Sequence, residues 1–259
     1  MYKCVSKGKI HESEKIEQFL KGKKQVSVIL PTYNEEGNIK RLVDALKHNL
    51  KKYDYEIIVV DDNSKDKTPS IINDLARKEK DRVVALHRYG IKGIFSAIQD
   101  GIRISRGEFV VIMDADFSHP PHIVPKLLVH IKDYDIVSGS RFIKGSGIEA
   151  PFMRKATTKA LNTVVRIILG LKPRDLTGGF HAIKKEKFQQ LRFKYKTIFG
   201  EFDMELFYLA NRANFRIKEV PFTYNYREEG ASKSSDSFLH YVGYGMHYLK
   251  RAVQIRLFR

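Results

Sequence analysis

One cysteine, Cys4, stands among 259 residues. A lone thiol excludes a disulfide framework within the chain and a cysteine metal cluster, and it fits a reducing compartment. Long apolar runs are missing as well. No stretch reaches the roughly 18–20 apolar residues that a membrane span needs. Residues 161–171 come nearest, and Arg166 interrupts them. The amino end, residues 1–24, is polar and lysine-rich, without the apolar segment of a secretory signal. The expectation is a chain that does not cross a bilayer. Zinc-finger spacing, an aromatic RNA-binding signature and basic repeats are absent too. Acidic residues are in short supply, 30 Asp and Glu against 47 Lys and Arg, for a net charge of +17. Such an excess attracts nucleic acid, anionic lipid or phosphorylated substrates. The charge is spread along the chain, so nothing beyond charge argues for a non-catalytic nucleic-acid-binding protein.

What is present is a regular alternation of apolar runs and amphipathic segments. Hydrophobic residues make up 42%, enough for a proper core. Strands are expected at 26–30, 56–60, 83–86, 108–113 and 136–138. Helices are expected at 36–50, 66–80 and 93–105, with another opening at Pro120-Pro121. Repeated strand–helix units imply an α/β fold with a doubly wound, mostly parallel sheet and helices on both faces. The second half is less regular. It carries an amphipathic helix at 154–169, a Gly-Gly turn and short strand within 175–183, a helix at 202–212 and a strand at 217–226. The last stretch, 238–259, mixes aromatics (Tyr241, Tyr244, Tyr248) with Lys250, Arg251, Arg256 and Arg259 and has no acidic residue. Such a helix either packs on the domain with a solvated basic face or lies on an anionic membrane. The expected division is a polar extension at 1–24, one continuous domain at 25–235 and an amphipathic helix at 236–259.

The polar residues gather at strand ends. The run Val110-Val111-Ile112-Met113 reads as a buried strand and ends in Asp114-Ala115-Asp116. Two carboxylates at the tip of a parallel strand stand where open α/β sheets bind ligands, and they can hold a divalent cation. Other strands end in Pro31-Thr32-Tyr33-Asn34-Glu35, Asp61-Asp62-Asn63-Ser64 and Gly139-Ser140-Arg141. All four clusters fall on one edge of the expected sheet, which makes a binding crevice.

In order, these words resemble the family 2 glycosyltransferases of GT-A type, and within them the branch that transfers mannose to polyprenyl phosphates. Asp116-Phe117-Ser118-His119-Pro120-Pro121, Asp175-Leu176-Thr177-Gly178-Gly179-Phe180, Arg227 and Ser232-Lys233 extend the likeness over residues 26–233. The resemblance implies a role for each match. Pro31, Tyr33 and Glu35 line the nucleotide pocket, with Glu35 near the ribose. Asp62 hydrogen-bonds the base. Asp114 meets the ribose or sugar, and Asp116 serves the metal and diphosphate, so that the pair Asp114 and Asp116 is the candidate Mg²⁺ or Mn²⁺ site. Arg141 meets a phosphate through its guanidinium fork, and Asp116 and Arg141 are the candidate catalytic residues. Arg154 and Thr158, one turn apart, join Arg141 in gripping the lipid phosphate. Arg227 and Lys233 clamp donor or acceptor phosphates from a polar loop at 228–235, which could act as a lid.

The chain departs from the family pattern twice. Gly93-Ile94-Phe95 stands where a Gly-x-Gly is usual, and Phe202-Asp203-Met204-Glu205 where Phe-Gln-x-Glu is common. The chain looks like the short form of the family. The implied reaction is inverting transfer of mannose from GDP-mannose to a polyprenyl (dolichyl) monophosphate, supplying a lipid-linked sugar for glycosylation. The implied partners are those substrates and an anionic membrane surface on its cytoplasmic face, or else a separate anchoring subunit. UDP-glucose or another sugar nucleotide, or a glycan acceptor, is the nearest alternative.

Overall fold

A computed structural model describes residues 2–6, 9–12, 20, 22–90, 93–194, 201–225 and 238–258. Arg227, Lys233 and the loop at 228–235 lie outside the described residues, as do the side chains of Tyr241 and Tyr244.

Among the described residues, nine strands form the main sheet. Its parallel centre is β3 (Lys24–Thr32), β4 (Tyr55–Asp61), β5 (Val83–Arg88) and β6 (Gly107–Ile112), in the order β6-β3-β4-β5. Further out, β7 (Ile136–Ser140) and β10 (Ile217–Pro221) pair in parallel. β9 (His181–Lys184) runs antiparallel between β6 and β7. On the opposite flank β1 (Tyr2–Ser6) lies antiparallel on β5, and β2 (Lys9–Glu12) antiparallel on β1. Seven of the nine strands therefore point one way, all but β1 and β9. Their carboxyl ends share one edge, as the sequence predicts.

The middle of the sheet is apolar on both faces, as Val28-Ile29-Leu30 of β3 and Ile57-Ile58-Val59-Val60 of β4 are all buried. Val26, Val28 and Leu30 of β3, with Ile57 and Val59 of β4, face α1 (Ile39–Asn49), α2 (Thr68–Lys78) and α4 (Val124–His130). The alternate residues Ile29, Ile58 and Val60 face α3 (Ile94–Ile104), α5 (Phe152–Leu169), α6 (Lys185–Gln190), α7 (Phe202–Arg212) and α8 (Phe238–Phe258). The two-residue period of a strand sorts the side chains between the two faces. Each fully buried aliphatic side chain contributes about 1.5–3 kcal/mol. α8 packs through Ala252 and Ile255 in the same cluster as Val165 and Leu169 of α5. No helix among the described residues is long and apolar enough to cross a membrane.

The sheet edge away from the strand tips is held by charge. Glu56, fully buried, accepts from Ser27 Oγ at 2.6 Å, Arg106 N at 2.6 Å and Arg106 Nε at 2.8 Å. Arg106 also reaches Asp81 at 2.8 Å, and Lys24 bridges Asp81 and Asp54. Burial pushes the Asp81 carboxyl up, but hydrogen bonds from Arg106 and Lys24 outweigh it and hold it well below the usual range.

Two sequence expectations need correction. Residues 1–24 carry β1 and β2, which extend the main sheet; β1 escapes notice because its run Tyr2-Lys3-Cys4-Val5 has two buried residues, Cys4 and Val5, and two half-buried ones. The strand expected at 217–226 is two strands, β10 on β7 and β11 (Thr223–Tyr224) on β8 (Gly147–Ile148). The chain switches sheets at Phe222, whose ring is buried and whose N–H donates to Ser140 O.

Gly107 opens β6 where the backbone of β3 passes close by. A Cβ there would lie 2.5 Å from Ser27 N and 2.8 Å from Val26 C. Gly107→Ala is expected to cost about 1–3 kcal/mol by overpacking. The check is the urea midpoint; an unchanged midpoint would refute the close approach.

Candidate active site

Three strand tips turn through left-handed residues, Asn34 (φ 53°), Asn63 (φ 63°) and Phe117 (φ 64°). Asn adopts this region readily, but a bulky residue there is strained. Phe117 is partly buried against the core, with the Arg41 guanidinium 5.2 Å from its ring centroid. These turns point the Glu35, Asp62 and Asp114–Asp116 segments into the crevice edge.

On the β3–β4–β5 side, Pro31 ends the apolar run of β3 and Tyr33 is about one-third exposed just beyond it. Glu35 is buried and accepts from Asn38 Nδ2 at 2.9 Å, and its N–H donates to Thr68 Oγ1. Asp61 is buried against His87, with Nδ1 3.0 Å from its carboxylate, and receives Ser64 N–H. Asp62 takes Arg88 Nη1 at 2.5 Å on one oxygen and Gly93 N–H at 3.0 Å on the other. Burial raises the Asp62 carboxyl above its ordinary value, although Arg88 and the Gly93 N–H pull it back. Phe95 turns away from the crevice and stacks on Phe202 at 5.3 Å. Gly93 therefore meets the crevice through its backbone alone.

The β6 tip holds two carboxylates of different character. Asp114 is 39% exposed at its side chain. Asp116 is buried, and one of its oxygens receives both Ser118 N–H (3.1 Å) and Ser118 Oγ (2.6 Å). His119 lies beneath the turn, fully buried, stacked on Phe180 at 4.8 Å. Its Nδ1 accepts the Asp114 N–H at 2.9 Å, and its Nε2 lies 3.9 Å from the Asp114 carboxylate. Burial pushes the imidazole down to about 4 against the pull of Asp116, and Arg141 adds to the depression.

Arg141, at the β7 tip, is buried in a bidentate pair with Asp175. Nε donates at 2.8 Å, Nη2 at 2.7 Å, and the backbone N–H at 2.9 Å to the same carboxylate. Nη2 also reaches Thr177 Oγ1 at 2.9 Å. Burial alone would lower the Arg141 pKa, but Asp175 more than offsets it and the pKa is raised. The guanidinium expected to meet a phosphate is already half engaged, while Nη1 has no hydrogen-bond partner among the described residues.

The 175–179 turn is braced from three elements. Glu219 of β10 receives the N–H groups of Arg174 and Asp175. Asp203 of α7 receives Gly179 N–H at 2.6 Å and pairs with His181 at 2.9 Å. Gly179 sits at φ 67°, where a side chain would be strained. Asn162 of α5 accepts Leu176 N–H and donates to Thr177 Oγ1 and Thr158 O. Asn162 thereby links α5 to Arg141 through Thr177, and Thr158 and Arg154 stand about one and two turns before Asn162 on the same helix. Thr158 Oγ1 itself donates to Arg154 O at 2.7 Å.

Sequence reasoning missed Arg88, which is fully buried. The signal was there: a charged residue one position past His87, just beyond the apolar run 83–86, at a strand tip like the others. It also left Asp203 without a role, because the carboxylate's partners, Gly179 and His181, are distant in sequence.

The buried neutral imidazole links stability to acid. The unfolded His119 titrates near 6.5, the folded one near 4. Its stabilising contribution is whole above about pH 6.5 and is lost as pH falls toward 4. Denaturant unfolding with a chelator between pH 7 and 4.5 is expected to show this loss, flattened in His119→Gln. Identical slopes in both proteins would refute it.

Comparison with known proteins now adds to this geometry. The profile described as Glycosyl transferase family 2 matches residues 27–192. The chain is 39% identical over 214 residues to the dolichol-phosphate mannosyltransferase of Pyrococcus furiosus, covering 81% of this chain and 59% of that protein. It is 34% identical over 216 residues to the polyprenol monophosphomannose synthase of Mycolicibacterium smegmatis, covering 81% of each. Among solved structures, glucosyl-3-phosphoglycerate synthase of Mycobacterium tuberculosis with Mn²⁺ and UDP has a TM-score of 0.64 at 20% identity, covering 95% of this chain and 85% of that one. Mannosyl-3-phosphoglycerate synthase of Rubrobacter xylanophilus has a TM-score of 0.65 at 18% identity, covering 90% and 74%. These two likenesses concern the fold.

Proposed function

The chain belongs to glycosyl transferase family 2, and from that premise we propose that it moves mannose from GDP-mannose to a polyprenyl (dolichyl) monophosphate. One observation carries the reading: two carboxylates at the β6 tip and a buried arginine at the β7 tip stand on the same sheet edge. They do so in a chain 39% identical to a dolichol-phosphate mannosyltransferase. A carboxylate pair suits the donor's diphosphate through a cation, and an arginine fork suits a phosphate directly.

The donor set at Asp114 and Asp116 fits Mg²⁺ or Mn²⁺. Both are hard oxygen ligands, and Asp114 is open to the crevice. No group of three or more His, Cys, Asp or Glu side chains gathers among the described residues. Such a site leaves coordination positions for substrate phosphates and water, as Mg²⁺ prefers. When bound, the cation supplies charge neutralisation to the leaving diphosphate.

The chain's own residues do the rest. Ser118 fixes Asp116, His119 fixes the Asp114 backbone, and Asp62 and Glu35 orient the nucleoside. An acceptor phosphate with a second pKa of about 6 is largely deprotonated at neutral pH, so no strong general base is required. Arg141 Nη1, Arg154 and Thr158 orient that phosphate, joined by Arg227 and Lys233. The acceptor oxygen bonds the anomeric carbon as the bond to the diphosphate breaks, inverting the centre.

The acceptor's lipid tail calls for a membrane surface. α5 and α8 leave Phe152, Met153, Ile167, Met246, Leu257 and Phe258 exposed, with Lys250 and Arg256 on α8. This supports peripheral binding to an anionic leaflet, on the cytoplasmic face where nucleotide sugars are made available. Leu257→Glu with Phe258→Glu is expected to weaken sedimentation with anionic vesicles about tenfold or more, since each apolar side chain contributes about 1.5–3 kcal/mol. Undiminished binding would sink the membrane face; no binding by the parent protein would point to an anchoring subunit.

The reaction is tested by transfer of labelled mannose from GDP-mannose to a polyprenyl phosphate in detergent, with Mg²⁺ or Mn²⁺. Product extractable into organic solvent is expected, falling by about 100-fold or more in Asp116→Ala. No product on any lipid acceptor, with GDP still bound, would move the assignment to another sugar nucleotide or a glycan acceptor.

A further inference from the structure

Tyr2 is the second residue of the chain, yet it lies in register opposite Arg88 at the tip of β5. Its hydroxyl donates to Asp100 Oδ1 at 3.0 Å. The other Asp100 oxygen lies 2.9 Å from Arg88 Nε. Arg88, with no solvent exposure, in turn gives Nη1 to Asp62 at 2.5 Å and Nη2 to Ser96 at 2.6 Å. The line Tyr2, Asp100, Arg88, Asp62 runs from the amino-terminal strand to the crevice without leaving the protein.

We propose that β1 is a working part of the donor pocket, in which Tyr2, through Asp100 and Arg88, aims the carboxylate of Asp62 at the nucleotide base. The inference rests on the reading of Asp62 as the base contact. Tyr2 to Asp100 and Arg88 to Asp62 are charge-assisted hydrogen bonds, stronger and more directional than neutral ones, while Asp100 and Arg88 Nε between them form a buried ion pair at 2.9 Å that does not meet hydrogen-bond geometry. Arg88 cannot shed its proton, and its planar fork couples the direction of Asp100 on one side to that of Asp62 on the other. Asp62 already spends one lone pair of each oxygen on Arg88 and on Gly93 N–H. The remaining lone pairs form a two-oxygen acceptor in a fixed plane. Guanine presents two adjacent N–H donors on its Watson–Crick edge, whereas uracil presents one. Aim therefore matters more for a guanine nucleotide than for a uracil one. Arg88, Asp100 and Tyr2 are positioning residues, since they act through Asp62.

Tyr2→Phe removes only the hydroxyl. The ring stays to carry the Arg103 guanidinium, 5.3 Å from its centroid, and the β1–β5 ladder is untouched. Titration calorimetry of the full chain with GDP and UDP, each with Mg²⁺, is the test. Tyr2→Phe is expected to weaken GDP binding by about three- to tenfold, the span of one hydrogen bond, and to lower the GDP-to-UDP preference by a similar factor. In the transfer assay KM for the donor rises while kcat stays within about twofold. Asp62→Asn should weaken GDP by more, and adding Tyr2→Phe to it should change nothing further. Asp100→Asn should reproduce Tyr2→Phe.

Unchanged GDP binding in Tyr2→Phe, with Asp62→Asn still impaired, overturns the coupling and leaves the base contact standing. An equal extra loss in the double variant overturns it as well, because it gives Tyr2 a purely structural part. Unchanged GDP binding in Asp62→Asn overturns the base contact itself, and the coupling falls with it.

Discussion

The pair between Arg141 and Asp175 holds the β7 side of the crevice together. Neither group could be buried alone, since the charge of one is tolerated in the interior only because the other answers it. Their bond pins the tip of β7 to the 175–179 turn. That turn hands the constraint on to β10 through Glu219, to α7 through Asp203 and to α5 through Asn162. Loops that are far apart in sequence thus form one floor beneath the crevice. Without the pair, the guanidinium would be a solvated group with many orientations.

The β4–β5 side of the crevice is built on the same plan with a different centre. Arg88 sits under the β4 and β5 tips as Arg141 sits under β7, each guanidinium fully or nearly buried and each bound to a carboxylate from a neighbouring loop. The two arginines flank the β6 tip, which carries Asp114 and Asp116.

How much of this was legible in the sequence depends on range. β4 reads directly because all seven residues are buried and β-branched or aromatic residues dominate it. The Asp-Ala-Asp tip reads because it ends such a run. β1 does not read, since its burial comes from lying on β5 and not from its own pattern. The sheet switch at Phe222 is equally silent, because it is enforced by a ring filling space against Phe180 and Gly139. Site residues were legible as words, while their partners were not. Arg141 and Asp175 both stand in recognisable motifs, yet nothing local says that they face each other 34 residues apart.

Thr177 carries one more consequence. Its hydroxyl oxygen receives Arg141 Nη2 and Asn162 Nδ2, and the amide orientation of Asn162 is fixed because its other atom accepts Leu176 N–H. Both lone pairs of that oxygen are therefore spent, and only its proton remains to offer. Arg141 Nη1 beside it is likewise a donor and nothing else. At these two groups the floor of the crevice has a hydrogen-bond polarity: it gives and does not receive. A ligand rich in acceptors and without hydrogens, as an ionised phosphate is, satisfies such a floor completely. A sugar hydroxyl or an amide would leave its own proton stranded there, so selection between them is written into the direction of the bonds before any charge is counted.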